Sequence, residues 1–144
     1  MKKIILLSVL LSITISVFGQ KINDVEAIKT MMLQQTKDWN DGNIDAFMQG
    51  YWQSDSLMFI GSRGITYGWQ ATLDNYKKRY PDRATMGMLK FNFLKLDFFN
   101  KNTTCWLLGT WHLTRPEKGD VGGYFTLMLK KIKGRWLIIS DHTS

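Results

Sequence analysis

Acid–base chemistry near neutral pH needs a histidine or a perturbed carboxylate set against a partner. This chain offers few of either. Its two histidines are His112 and His142, and Asp141 precedes the second. Asp141 and His142 are neighbours in an apolar run that reads as the last strand. They point to opposite faces and cannot both enter one pocket without a bulge. His112 lies in an earlier strand, on one face with Trp106 and Thr110. Cys105 is the only cysteine, so an intramolecular disulfide is excluded. Inside an apolar strand it reads as a small buried hydrophobe rather than a nucleophile. One cysteine and two histidines are too few for a structural zinc site, and neither a metal nor a cofactor is expected.

The elements that must position these residues begin with a helix. Val25, Ile28, Met32 and Trp39 recur at three- and four-residue steps, with Thr36 filling the gap. Asn23 followed by Glu26 resembles a capping box, and Asn40-Asp41-Gly42 stops the helix at a left-handed cap. Asn43 caps a second helix from Ile44 to about Tyr51. Leu57 to Ile60 and Ile65 to Tyr67 read as short strands around the turn Gly61-Ser62-Arg63-Gly64. Gly68 opens a third helix carrying Leu73, Tyr76 and Tyr80, and Pro81 stops it. The remainder reads as four strands, Met86 to Phe99, Thr103 to Leu113, Gly122 to Lys133 and Arg135 to Thr143. Short loops join them, so they should pair as an antiparallel meander. In the first, Leu89, Phe91 and Phe93 fall on one face and Leu94, Leu96 and Phe98 on the other.

Strand length carries the step from fold to function. Fourteen residues from Met86 to Phe99 would run roughly 46 Å if straight, whereas a compact domain of this size is roughly 36 Å across. The sheet must twist, bend or bulge. A bent sheet has a concave face that three helices fill incompletely, which leaves a pocket. Both faces of Thr104 to Leu113 carry apolar residues. One face should meet the helices, and the other a second copy of the chain.

Residues 1–19 read as a secretory signal. Lys2 and Lys3 precede an apolar run from Ile4 to Phe18, and the small residues Val17 and Gly19 precede Gln20. The run is short for a spanning helix, and no lipoprotein cysteine follows it. The expected product is residues 20–144, one domain, secreted or periplasmic, with no membrane association after cleavage. Without Lys2 and Lys3, 17 basic residues stand against 12 acidic ones, a net of +5. The basic clusters at Lys77-Lys78-Arg79 and Lys130 to Arg135 fit a helix end and a sheet edge. No nucleic-acid partner is expected.

Several residues in order carry a family resemblance: Trp39-Asn40-Asp41-Gly42-Asn43-Ile44, Tyr51 with Asp55 and Phe59, Gly64 with Gly68, Gly109-Thr110-Trp111, and Gly134-Arg135-Trp136-Leu137-Ile138 through Asp141-His142-Thr143-Ser144. The chain resembles the nuclear transport factor 2-like superfamily, in its branch of SnoaL-like domains and domain of unknown function 4440. The fold this implies is α+β: a cone-shaped roll of a curved, mostly antiparallel sheet with three helices from the N-terminal half closing its concave face, commonly dimeric. The superfamily hosts isomerases, dehydratases, cyclases and association modules, so fold does not decide activity. Where the steroid isomerases carry catalytic groups, this chain has Gln35, Ile60 and Phe125 to Leu127, a departure at every catalytic position.

Comparison with kinase association domains implies that Thr110, Leu127 and Thr143 face inward. That parity would bring His112 and Asp141 into the pocket and send His142 to the other face. Two readings follow. His112 and Asp141 form a general acid/base couple, or Asp141 accepts structural hydrogen bonds while His112 sits at the solvent mouth; the second is favoured. Asp55 suits a turn. Arg63 and Arg115 suit solvated loops, with an anionic ligand as the other use for either. Trp39, Tyr76, Tyr80, Trp106 and Phe125 are expected to line the cavity, with the two tyrosines contacting ligand and Gln35 orienting it. The leading expectation is a secreted, dimeric binding domain for a small, largely apolar molecule. The alternatives are a SnoaL-like enzyme using His112 and Asp141, and an interaction module with a filled cone.

Overall fold

A computed structural model describes residues 23–144; the expected signal at 1–19 lies outside the described residues. Helix α1 covers 23–40. It is followed by α2 (Ile44–Phe47) with a 3-10 turn over Met48–Gly50, strands β1 (Met58–Gly61) and β2 (Gly64–Tyr67), and helices α3 (Trp69–Arg79) and α4 (Arg83–Met86). The long strands β3 (Met88–Phe99), β4 (Thr104–Thr114), β5 (Val121–Ile132) and β6 (Arg135–Thr143) complete the fold. One six-stranded sheet has the order β2-β1-β6-β5-β4-β3. All pairs are antiparallel except β1 with β6. The architecture is the α+β roll expected from the sequence.

The buried stripe of α1 is Asp24, Ile28, Met32, Gln35 and Trp39, the spacing of one helix face. Asp24 accepts hydrogen bonds from Lys131 Nζ and from Trp136 Nε1 at 3.1 Å, which ties the start of α1 to β5 and β6. Gly42 adopts φ +80°, and the Asn43 side chain accepts from Ala46 N at 2.9 Å. The chain therefore turns sharply from α1 into α2.

Helix α4 is one element the sequence reading missed. The Asp82 side chain caps it by accepting from Thr85 N, and Met86 belongs to it rather than to β3. The helix is a clamp. Arg83 donates to Trp39 O (2.9 Å) and Asn40 O (2.8 Å), and Trp39 Nε1 donates to Met86 O (3.1 Å). Asn40 completes it with paired bonds to the backbone of Leu89.

Two bulges bend the sheet. In β3, Phe93 pairs with Gly109 and Lys95 with Leu108, so Leu94 is an extra residue. The bulge reverses the alternation. Leu96 and Phe98 then pack against the same core as Phe91 and Phe93, while Leu94 is exposed. This corrects the assignment of Leu96 and Phe98 to the opposite face, which assumed uninterrupted period two. In β6, Met128 of β5 faces Ser140 but Leu129 faces Ile138, so Ile139 is extra. Trp136 and Ile138 are buried before the bulge, and Asp141 after it. The bulge selects Asp141 rather than His142 for the interior.

A candidate ligand cavity between the helices and the sheet

The concave face and the helices enclose a cavity of about 330 Å³ that opens beside the β1–β2 turn. That volume is at the small end of known ligand sites. Met32, Gln35 and Trp39 of α1 and Phe47 of α2 form one wall. Thr72, Asn75, Tyr76 and Arg79 of α3 form another, and Phe59, Phe91, Trp111, Phe125 and Leu127 supply the sheet side. The aromatic rings touch edge to face around Tyr76, with centroids 5.4 Å from Phe47, 5.6 Å from Phe59 and 6.0 Å from Trp39. Such contacts fix ring orientation. Gly109 makes room on the sheet floor, because a Cβ there would stand 2.5 Å from Phe125 Cζ and 2.7 Å from Asn92 O.

At the buried end lies a polar network. Tyr51 donates its hydroxyl proton to Asp141 Oδ2 at 2.7 Å, and Thr143 Oγ1 donates to Oδ1 at 2.7 Å. The Tyr76 hydroxyl lies 3.4 Å from that of Tyr51. Burial raises the Asp141 pKa above the ordinary carboxylate value, against the opposing pull of the Tyr51 and Thr143 hydrogen bonds. Burial, and then the Asp141 charge, hold Tyr51 and Tyr76 well above the usual phenol range, so both remain donors. Gln35 is buried as well. Its Nε2 donates to Phe47 O at 3.0 Å, and its Oε1 has no partner among the described residues.

Gln35, Trp39, Tyr76, Tyr80, Phe125, Leu127, Thr143 and Asp141 all line the cavity. Trp106, Thr110 and His112 do not, which corrects their expected place. Leu107 and Leu127 are paired and buried, whereas Thr110 pairs with the exposed Tyr124. Directly opposed residues share a face, so Thr110 and Leu127 lie on opposite sides. Trp106 and His112 follow Thr110 outward. His112 Nε2 lies 3.0 Å from Asp120 Oδ2 at the surface, so the His112–Asp141 couple does not form. Asp120 is held below the usual carboxylate range by the backbone N–H of Arg115 and then by His112. His142 is exposed. Cys105 is fully buried, its thiol pushed up to about 12 mainly by desolvation. Tyr51, the donor that organises Asp141, stands in the sequence as the end of the second helix and within the family resemblance, with no partner assigned to its hydroxyl. A buried tyrosine's need for a hydroxyl partner was the available signal.

Among the described residues, no three or more histidine, cysteine or acidic side chains gather as metal ligands, and no helix is long and apolar enough to cross a membrane.

Residues 28–144 match the SnoaL-like domain. The chain belongs to the SnoaL-like domain family. The match names this family rather than the domain of unknown function 4440. A nuclear transport factor 2-like protein of unknown function from Shewanella oneidensis MR-1 is 40% identical, with 83% of this chain and 98% of that one covered and a TM-score of 0.79. Two more distant structures share the fold. A nuclear transport factor 2-like superfamily protein from Salmonella enterica serovar Typhimurium LT2 is 15% identical, covering 86% and 92% of the two chains with a TM-score of 0.66. A putative calcium/calmodulin-dependent protein kinase II association domain from Xanthomonas campestris is 17% identical, covering 81% and 84% with a TM-score of 0.63. No curated protein matches. This SnoaL-like domain thus has the cone fold of its neighbours, and its own cavity must supply any functional argument.

Proposed function

We propose that this SnoaL-like domain is a secreted binding protein for a small, largely apolar molecule held between the helices and the sheet. The observation that carries the reading is the cavity of about 330 Å³, walled by aromatic rings and ending in a buried Asp141–Tyr51–Tyr76 network. A core built only for stability would fill such a space. The leader pattern in residues 1–19 supports export. A dimer through the outer sheet face is part of the proposal, supported by half-buried Trp106 and Leu108 beside exposed Tyr124.

The neutral dye N-phenyl-1-naphthylamine tests the cavity reading. The expected result is saturable fluorescence enhancement with one dye per chain. Thr66→Trp and Asn75→Trp, both at cavity-lining positions, should each abolish it while circular dichroism stays unchanged. Undiminished binding by both folded variants would place the dye elsewhere and refute the reading.

A further inference from the structure

The cavity's polar groups are sorted by depth. Asp141 is the only carboxylate side chain among the described lining residues and is buried. Arg63, Lys78 and Arg79 also line the cavity and are exposed. They come from separate elements, Arg63 from the β1–β2 turn and the other two from α3. Neighbouring Lys77 is ion-paired with Asp45 at 2.8 Å. Arg63, Lys78 and Arg79 have no such carboxylate among the described residues. Charge complementarity at the helix C-terminus accounts for cations on α3, but not for Arg63 reaching the same opening.

Proton direction sets the character of the buried end. Tyr51 and Thr143 each spend their single hydroxyl proton on Asp141. The Tyr51 oxygen can then only accept, and Tyr76 is the neighbour placed to donate to it. That leaves acceptor capacity on Tyr76 and Thr143. The buried end therefore calls for a ligand donor, and the rim for an anion. Between them the walls are aromatic.

We infer that the cavity takes a hydroxylated aromatic carboxylate, its carboxylate at Arg63, Lys78 and Arg79 and its hydroxyl at the Tyr76–Thr143 end. This rests on the binding reading above and specifies its ligand class. Three matched compounds separate the parts: 3-phenylpropan-1-ol, 3-phenylpropionate and 3-(4-hydroxyphenyl)propionate, titrated by calorimetry or protein NMR. Exposed ion pairs are individually weak, so 3-phenylpropionate should bind about three- to tenfold more tightly than the alcohol. The Arg63→Gln/Arg79→Gln double variant should remove that preference. A phenol entering a purely apolar pocket loses affinity through desolvation. A gain of about tenfold on adding the hydroxyl is expected if it donates to acceptors tied to a charge. Tyr76→Phe or Thr143→Val, whichever folds as the parent does, should shrink that gain. If the alcohol binds as well as the acids, or the hydroxyl brings no gain, the ligand class is wrong while the cavity reading stands. If none of the three binds, the class is equally refuted, and the dye result then decides the cavity reading separately.

Discussion

Replacing Trp39 with alanine is expected to lower the free energy of unfolding by about 3–5 kcal/mol. Trp39 is 3% exposed and joins three parts of the fold. Its ring meets Phe47 at 5.2 Å and Tyr80 at 4.8 Å between centroids. Its indole N–H satisfies Met86 O, which closes α4 onto α1. Truncation leaves a void beside an existing cavity and strips a buried carbonyl of its donor. Urea denaturation measures the loss. Trp106→Ala on the outer face removes as many atoms but no inward contact, and should cost about 1 kcal/mol, as partly exposed sites do. Equal losses for the two variants would mean that Trp39 does not hold the helices to the sheet.

The second large effect depends on pH. Tyr51→Phe removes the donor to Asp141 Oδ2. A hydrogen bond to a charged group is worth about 1.5–3 kcal/mol, so the variant should lose about 2 kcal/mol at pH 7.5. Asp141 titrates above the ordinary 3.8 in the folded protein, first because it is buried. A raised carboxyl pKa means that the folded chain holds a proton the unfolded chain has released. The stability linked to Asp141 is therefore full below about pH 3.8 and is lost as pH rises through its folded pKa. Removing the Tyr51 donor raises that pKa further, so the variant's deficit grows as pH rises from the parent's folded Asp141 pKa to the variant's higher one. At pH 3.5, where Asp141 is neutral, the deficit should fall below about 1 kcal/mol. Chemical denaturation at the two pH values checks this. A deficit of the same size at both would show that Tyr51 does not stabilise an ionised Asp141.

Much of this arrangement is legible in the sequence. Ile28, Met32 and Trp39 of the α1 stripe, the Gly42 stop, the Asn43 cap and the four long strands follow from periodicity and turn chemistry, whereas the stripe runs through Asp24 and Gln35 rather than Val25 and Thr36. The curvature follows from strand length. The cavity positions of Trp39, Tyr76 and Tyr80 follow from helix spacing, and that of Gln35 from the family resemblance. The side-chain parity of the strands did not follow so simply. A bulge inserts one residue without a fixed sequence mark, so the phase change at Leu94 was invisible, and Leu96 and Phe98 were set on the wrong face. Thr110, with Trp106 and His112, was placed inward by likeness to another protein, where one residue of register reverses every side chain. Helix α4 hid behind Pro81, because Asp82-Arg83-Ala84-Thr85 is too short to carry periodicity and only the Asp82 cap marks it.

The six tryptophans offer one direct observation of the central claim. In an NMR titration with 3-phenylpropan-1-ol, the indole N–H signals of Trp39 and Trp111, which line the cavity, should shift together and saturate. The signal of Trp106, on the opposite sheet face, should remain still. Saturable shifts at Trp106 with Trp39 and Trp111 unmoved would contradict a binding cavity between the helices and the sheet.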